Sequence, residues 1–151
     1  MECDWPNCPR YFRNNYENLK TKFTGAENIE NNWSQSMQDI FVMSMLDGKR
    51  NGVYVEIGAD QPRVISNTYL LEKDFDWSGI SFELDANKVA FFNTIRKNKC
   101  LCEDATLYDY KSLFEKLNYP KQIDYLQLDI DPAEGTLRAL KTLPLDDYRF
   151  S

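Results

Sequence analysis

Histidine is absent from this 151-residue chain. Without imidazole no Ser-His-Asp or Cys-His arrangement can form, and any general base must be a carboxylate, lysine, tyrosine, cysteine or water. Long apolar runs are missing as well. None approaches the ~18 residues of a membrane span, and the opening MECDWPNCPR carries no apolar signal core. A cytoplasmic protein with no membrane partner is therefore expected. Positive charge is in deficit, with 18 Lys and Arg against 24 Asp and Glu and a formal net charge of −6. Such a chain has no basic field to draw in phosphates, which argues against nucleic acid as a partner. Neither G-x-G-x-x-G nor G-x-x-x-x-G-K-[ST] occurs, which argues against a dinucleotide-dependent dehydrogenase. Cysteine is sparse. Cys3 and Cys8 lie in a polar arm, while Cys100 and Cys102 alternate in an expected strand and read as small buried hydrophobes. A zinc site needs four ligands in paired spacings, which this pattern does not supply, so no metal is expected.

Hydrophobic residues make up 42% of the chain and aromatics 14%, enough for one globular domain with a real core. The stretch from Gly52 to Glu83 organises it. Val53–Ile57 is a β-branched and aromatic run that stops at Gly58. An irregular loop with Asp60 and Pro62 follows, then a helix opening near Ser66 and Asn67, then a strand from Gly79 to Glu83. Upstream, residues 1–33 read as a polar arm in which Phe12, Tyr16, Leu19 and Phe23 would share one helix face. Residues 34–151 read as the domain proper. Ser36 and Asp39 fit a capping box, before a helix with Met37, Ile40, Phe41 and Met45 turned to the core. Downstream come a helix over 86–98, a strand over 100–103, a helix over 110–118, a strand over 123–128 and a helix that Asp131 caps and Pro132 opens. That last helix carries Leu137, Leu140 and Leu143. Strands alternating with helices predict a three-layer α/β/α fold on a mainly parallel sheet.

Each expected strand ends on or beside an acid: Glu56 with Asp60, Glu83 with Asp85, Asp104, and Asp129 with Asp131. In a parallel sheet these tips lie along one edge. A rim of that sign suits a cationic, hydroxyl-rich ligand and suits a pyrophosphate poorly. S-adenosyl-L-methionine has a positive sulfonium, two vicinal ribose hydroxyls and no phosphate. Glu83 can accept both ribose hydroxyls in bidentate fashion, Asp104 the adenine amino group, and the backbone at Gly58 and Ala59 can meet the amino-acid end. Glu56 and Asn67 are as readily structural as ligand-binding. A divalent ion at Asp129 and Asp131 is a further alternative, although two carboxylates make a thin site.

VEIGAD at 55–60, SNTYLLEKDF at 66–75, SQSMQDIFV at 34–42 and LDIDPAEG at 128–135 together resemble the FkbM-type methyltransferases. The resemblance covers residues 34 to 150. It implies a class I, Rossmann-like sheet in the strand order 3-2-1-4 and a methyl group transferred from S-adenosyl-L-methionine to a small-molecule acceptor, at oxygen. It also implies Gly58, Ala59 and Asp60 at the cofactor loop, Glu83 on the ribose with Leu84 beside it, Asp104 and Ala105 near adenine, and Asp129 near the methyl. Asp129 is thus the candidate catalytic group. Ser34, Gln35 and Gln38 match the upstream motif without an assigned chemical role. The loop VEIGADQP departs from the family's acid- and asparagine-rich one. The family's sheet continues beyond a helix of this kind, so the fold is expected to be incomplete at its C-terminus or completed in a homodimer. A non-catalytic interaction module on the same fold is the rival expectation.

Overall fold

A computed structural model of the chain describes residues 10–11 and 16–151. Contacts divide it into two units. One holds the described residues up to Gly52 together with Gln61–Trp77. The other holds Val53–Asp60 and Ser78–Ser151.

In the first unit β1 (Arg10–Tyr11) runs antiparallel to β2 (Asn31–Asn32). The helix expected across the arm is a 3-10 turn at Tyr16–Asn18, and Phe12 lies outside the described residues. Lys20-Thr21-Lys22 offers no apolar face and a weak helix former, so nothing sustains a second turn. Buried side chains of this unit include Phe23, Ile29, Ile40, Met43, Leu70, Phe75 and Trp77, with the Phe23 and Phe75 ring centroids 6.3 Å apart. Helix α1 (Gln38–Met45) and helix α2 (Tyr69–Phe75) carry several of them. Trp77 donates its indole N–H to the Lys49 carbonyl at 2.7 Å.

The capping box expected at α1 does not form. Ser36 instead donates its N–H to Gln38 Oε1. Asp39 is fully buried and turns its carboxylate back on the segment just after β2. It accepts N–H groups from Trp33 at 2.7 Å and Ser34 at 3.1 Å, and the Ser34 hydroxyl at 2.6 Å. This anchor sets the rotation of α1 about its axis. The buried face is Asp39, Ile40, Val42 and Met43, whereas Phe41 and Met45, expected in the core, are 65% and 67% exposed.

The second unit is built on β3 (Val53–Ile57), β4 (Ser78–Glu83), β5 (Lys99–Cys102) and β7 (Tyr125–Leu128). All pair in parallel, in the order β5-β4-β3-β7. Numbered by appearance within this sheet, that is the expected 3-2-1-4 order. The fourth strand is not continuous. β6 (Gln122–Ile123) is split from β7 at Asp124, whose N–H donates to the Val53 carbonyl and whose Oδ2 accepts the Val53 N–H at 3.0 Å. The segment β8 (Arg149–Phe150) lies parallel to β6.

One sheet face is apolar. Val55, Ile57, Ile80 and Phe82 pack against Tyr110 and Phe114 of α4 (Tyr110–Lys116) and Ala139 of α5 (Ala133–Thr142). Phe82, Tyr110 and Phe114 form a chain of tilted rings with centroids 5.2 and 5.9 Å apart. Burying each such side chain contributes about 1.5–3 kcal/mol. On the opposite face α3 (Ala86–Ile95) sets Val89 and Phe92 against Ala59 and Cys100. Helices thus cover both faces within this unit, giving a three-layer α/β/α arrangement of the Rossmann-like kind.

Two details differ from expectation. Asp131 does not cap α5; Thr136 Oγ1 closes that loop by accepting the Ile130 N–H and donating to the Ile130 carbonyl. α5 also buries Gly135 and Ala139, because Gly135 sits so close to Ile130 that a Cβ would come within 2.7 Å. Leu137 and Leu140 are left 53% and 37% exposed. Among the described residues no helix is long and apolar enough to cross a membrane.

Candidate functional site

The register of the parallel sheet decides where the acids go. Ile57 lies beside Phe82 and Leu128, and Glu83 lies beside Cys102. Gly58, Leu84 and Asp129, which follow these positions, and Asp104, two residues beyond Cys102, therefore leave the sheet along one edge. The carboxylate-lined margin expected from the sequence exists within the second unit.

At its centre is the bend after β3. Gly58 has φ +85°, a left-handed conformation that favours glycine. A Cβ there would stand 2.0 Å from the Asp129 carbonyl oxygen, so the two strand ends nearly touch. The N–H groups of Gly58 and Ala59 both reach the Phe82 carbonyl at 3.0 Å. They are therefore spent within the fold and are not held out at the edge.

Glu83 is engaged more fully than the sequence suggests. Its Oε2 accepts the Asp60 N–H at 3.1 Å, and its Oε1 accepts those of Leu84 at 2.9 Å and Asp85 at 3.0 Å. A carboxylate offers roughly four acceptor positions. Three are taken, so the free capacity lies on Oε2, beside the bend. A full bidentate grip on two ribose hydroxyls is not available without displacing a backbone donor. Leu84 is 66% exposed and forms the rim.

Lys88, a residue the sequence reading passed over, joins this group. Its Nζ donates to Asp60 Oδ1, and that hydrogen bond, with the charges of Asp60, Glu83 and Asp85, holds its ammonium above the usual range. Asp85 caps α3 by accepting the Asn87 and Lys88 N–H groups.

The remaining candidates divide. Asp129 is exposed at the edge, its N–H given to the Ile57 carbonyl. Asp104 is exposed too. Its Oδ1 takes the Thr106 hydroxyl and N–H, which lowers its pKa. Ala105 faces the apolar core instead, with its carbonyl accepting the Tyr110 hydroxyl at 2.8 Å. Glu56 is buried on the sheet's other face and accepts the Ser81 hydroxyl at 2.6 Å. Asn67 belongs to the first unit. Ser66 Oγ, not Asn67, takes the N–H groups opening α2, and Asn67 Oδ1 is buried without a hydrogen-bond partner. Among the described residues no group of three or more Cys, Asp and Glu is arranged to hold a metal ion.

No family model and no curated protein matches this chain. The reading of the site therefore rests on its own chemistry.

Cys100 and Cys102 were expected to be buried together. Cys100 is 3% exposed, and burial pushes its thiol up to about 12, with the Glu56 and Glu83 charges adding to the effect. Cys102, at the end of an outer strand, is exposed and donates weakly to the Leu84 carbonyl. In the native protein a maleimide will label Cys102 and spare Cys100. Tandem mass spectrometry of the peptide carrying both reads the ratio, and equal labelling would contradict this placement.

Proposed function

We propose that this chain is an S-adenosyl-L-methionine-binding domain of the FkbM type, acting in methyl transfer to an oxygen of a small molecule or sugar. The observation that carries the reading is the edge itself. A glycine bend and the carboxylates of Glu83 and Asp129 gather at the ends of parallel strands in 3-2-1-4 order, with no glycine-rich phosphate loop.

The residues fit the group. Gly58 lets the bend pack against the Asp129 carbonyl where any Cβ would strike it, and Glu83 Oε2 retains capacity for one ribose hydroxyl. Asp104 Oδ2 is left over from the Thr106 turn for an amino group. When bound, S-adenosyl-L-methionine supplies an electrophilic methyl on a cationic sulfur. The chain's share is to bind and orient. Glu83 fixes the ribose, and the bend sets the depth of the ligand. Asp129 lies where it can accept a proton from, or align, an acceptor hydroxyl. Alignment and charge placement are the main demands of such a transfer.

Isothermal titration with S-adenosyl-L-methionine and S-adenosylhomocysteine tests this. Binding of both is expected. Glu83→Ala should weaken it by about 1.5–3 kcal/mol, roughly 10- to 150-fold, by removing a charged acceptor. Absence of heat and of thermal shift for either ligand would leave the rival reading, a non-catalytic interaction module. The exposed Phe41 and Met45 on α1 favour that rival. Homodimerisation is part of the proposal. Among the described residues β7 pairs on one side only, with β3, and an open strand edge invites a partner. Sedimentation equilibrium should then give twice the chain mass.

A further inference from the structure

Asp60, Glu83, Asp85 and Lys88 form a closed ring of hydrogen bonds. Asp60 gives its N–H to Glu83, Glu83 accepts the N–H of Asp85, Asp85 accepts the N–H of Lys88, and Lys88 returns its ammonium to Asp60. The ring ties the bend after β3 to the turn between β4 and α3. Lys88 is its one cation, and it is the link that closes it.

Asp60 is the weak member. Its φ is +48°, a conformation that costs an ordinary side chain energy and that aspartate tolerates only with local support. Its N–H meets the oxygen of Glu83 that still has an acceptor position free. Where Asp60 sits therefore sets where that position points. We propose that Lys88 is a positioning residue for the ribose seat: by gripping Asp60 it keeps the Asp60 N–H on Glu83 Oε2, so the carboxylate is already aimed when the nucleoside arrives. The inference deepens the cofactor reading above and rests on it.

The Lys88 and Asp60 side chains are 41% and 42% exposed, and exposed pairs contribute little to global stability. That separates this role from a structural one. Losing Lys88 should leave the melting temperature nearly unchanged and act on recognition of the ribose hydroxyls.

The test compares S-adenosylhomocysteine with its 2′,3′-dideoxy analogue by titration. Wild-type protein should prefer the hydroxylated ligand by roughly tenfold or more. Lys88→Ala should lower that preference to about threefold or less, and Lys88→Arg should restore it, since a guanidinium also reaches Asp60. A wild-type preference that persists undiminished in Lys88→Ala overturns the positioning role and leaves the cofactor reading standing. Equal affinity of the wild type for both ligands overturns the role too, because Glu83 then does not seat the ribose. Failure of the wild type to bind either ligand defeats the cofactor reading and this inference with it.

Discussion

Gly58→Ala should destabilise the protein by about 3–4 kcal/mol and abolish the proposed cofactor binding. Two costs combine. The new Cβ would lie 2.0 Å from the Asp129 carbonyl oxygen and 2.9 Å from its carbon. These are backbone atoms between paired strands and cannot swing aside as a side chain would. The residue would also have to hold φ +85°, which disfavours any Cβ. Gly25→Ala is the control. Gly25 has nearly the same φ, +86°, yet its Cβ would meet only the Phe75 ring at 3.5 Å, an ordinary contact. That variant should lose about 1 kcal/mol, the conformational cost alone. Thermal melts should differ by roughly 10 °C between the two. Equal melting temperatures would mean that the bend and Asp129 are not in contact.

Asp39→Ala should cost about 3–5 kcal/mol by urea denaturation. The carboxylate is 0% exposed, and its removal leaves the N–H groups of Trp33 and Ser34 and the Ser34 hydroxyl without their acceptor. Stranded buried donors of this kind are costly. The pH dependence has a definite sign. Burial pushes the Asp39 carboxyl above its ordinary value of 3.8, against the pull of the Ser34 and Trp33 hydrogen bonds. The folded chain therefore holds this proton more tightly than the unfolded chain. The resulting stabilisation is complete below that ordinary value and is lost as pH rises through the folded one. The stability gap between wild type and Asp39→Ala should then be widest in acid and narrow toward neutrality. A gap that widens with pH would reverse the assignment.

Both variants mark the boundary between what local patterning encodes and what it does not. Runs such as Val53–Ile57, stopped by glycine, and helical spacings such as Val89 with Phe92 report on a few consecutive residues. Their burial follows from period alone, so the strands and the acids at their tips were legible, whereas the strand order came only from the family resemblance. Gly58 stood out as a place of close approach, but that its neighbour is the Asp129 carbonyl appears only in the packed sheet. The face that α1 buries was not legible, because Phe41 and Met45 are as apolar as Ile40 and Met43. A hydrogen-bonded carboxylate on Asp39 chose between them. The fourth strand read as continuous because nothing local shows that Asp124 bonds Val53, 71 positions away. Glu83 looked free for the same reason. Its occupied lone pairs and the Lys88 ion pair to Asp60, across 28 residues, arise only when two strand ends are brought side by side. Apolar rhythm is a property of the chain. The pairing of individual polar atoms is a property of the packed molecule, since a donor meets its acceptor only after the backbone between them has folded.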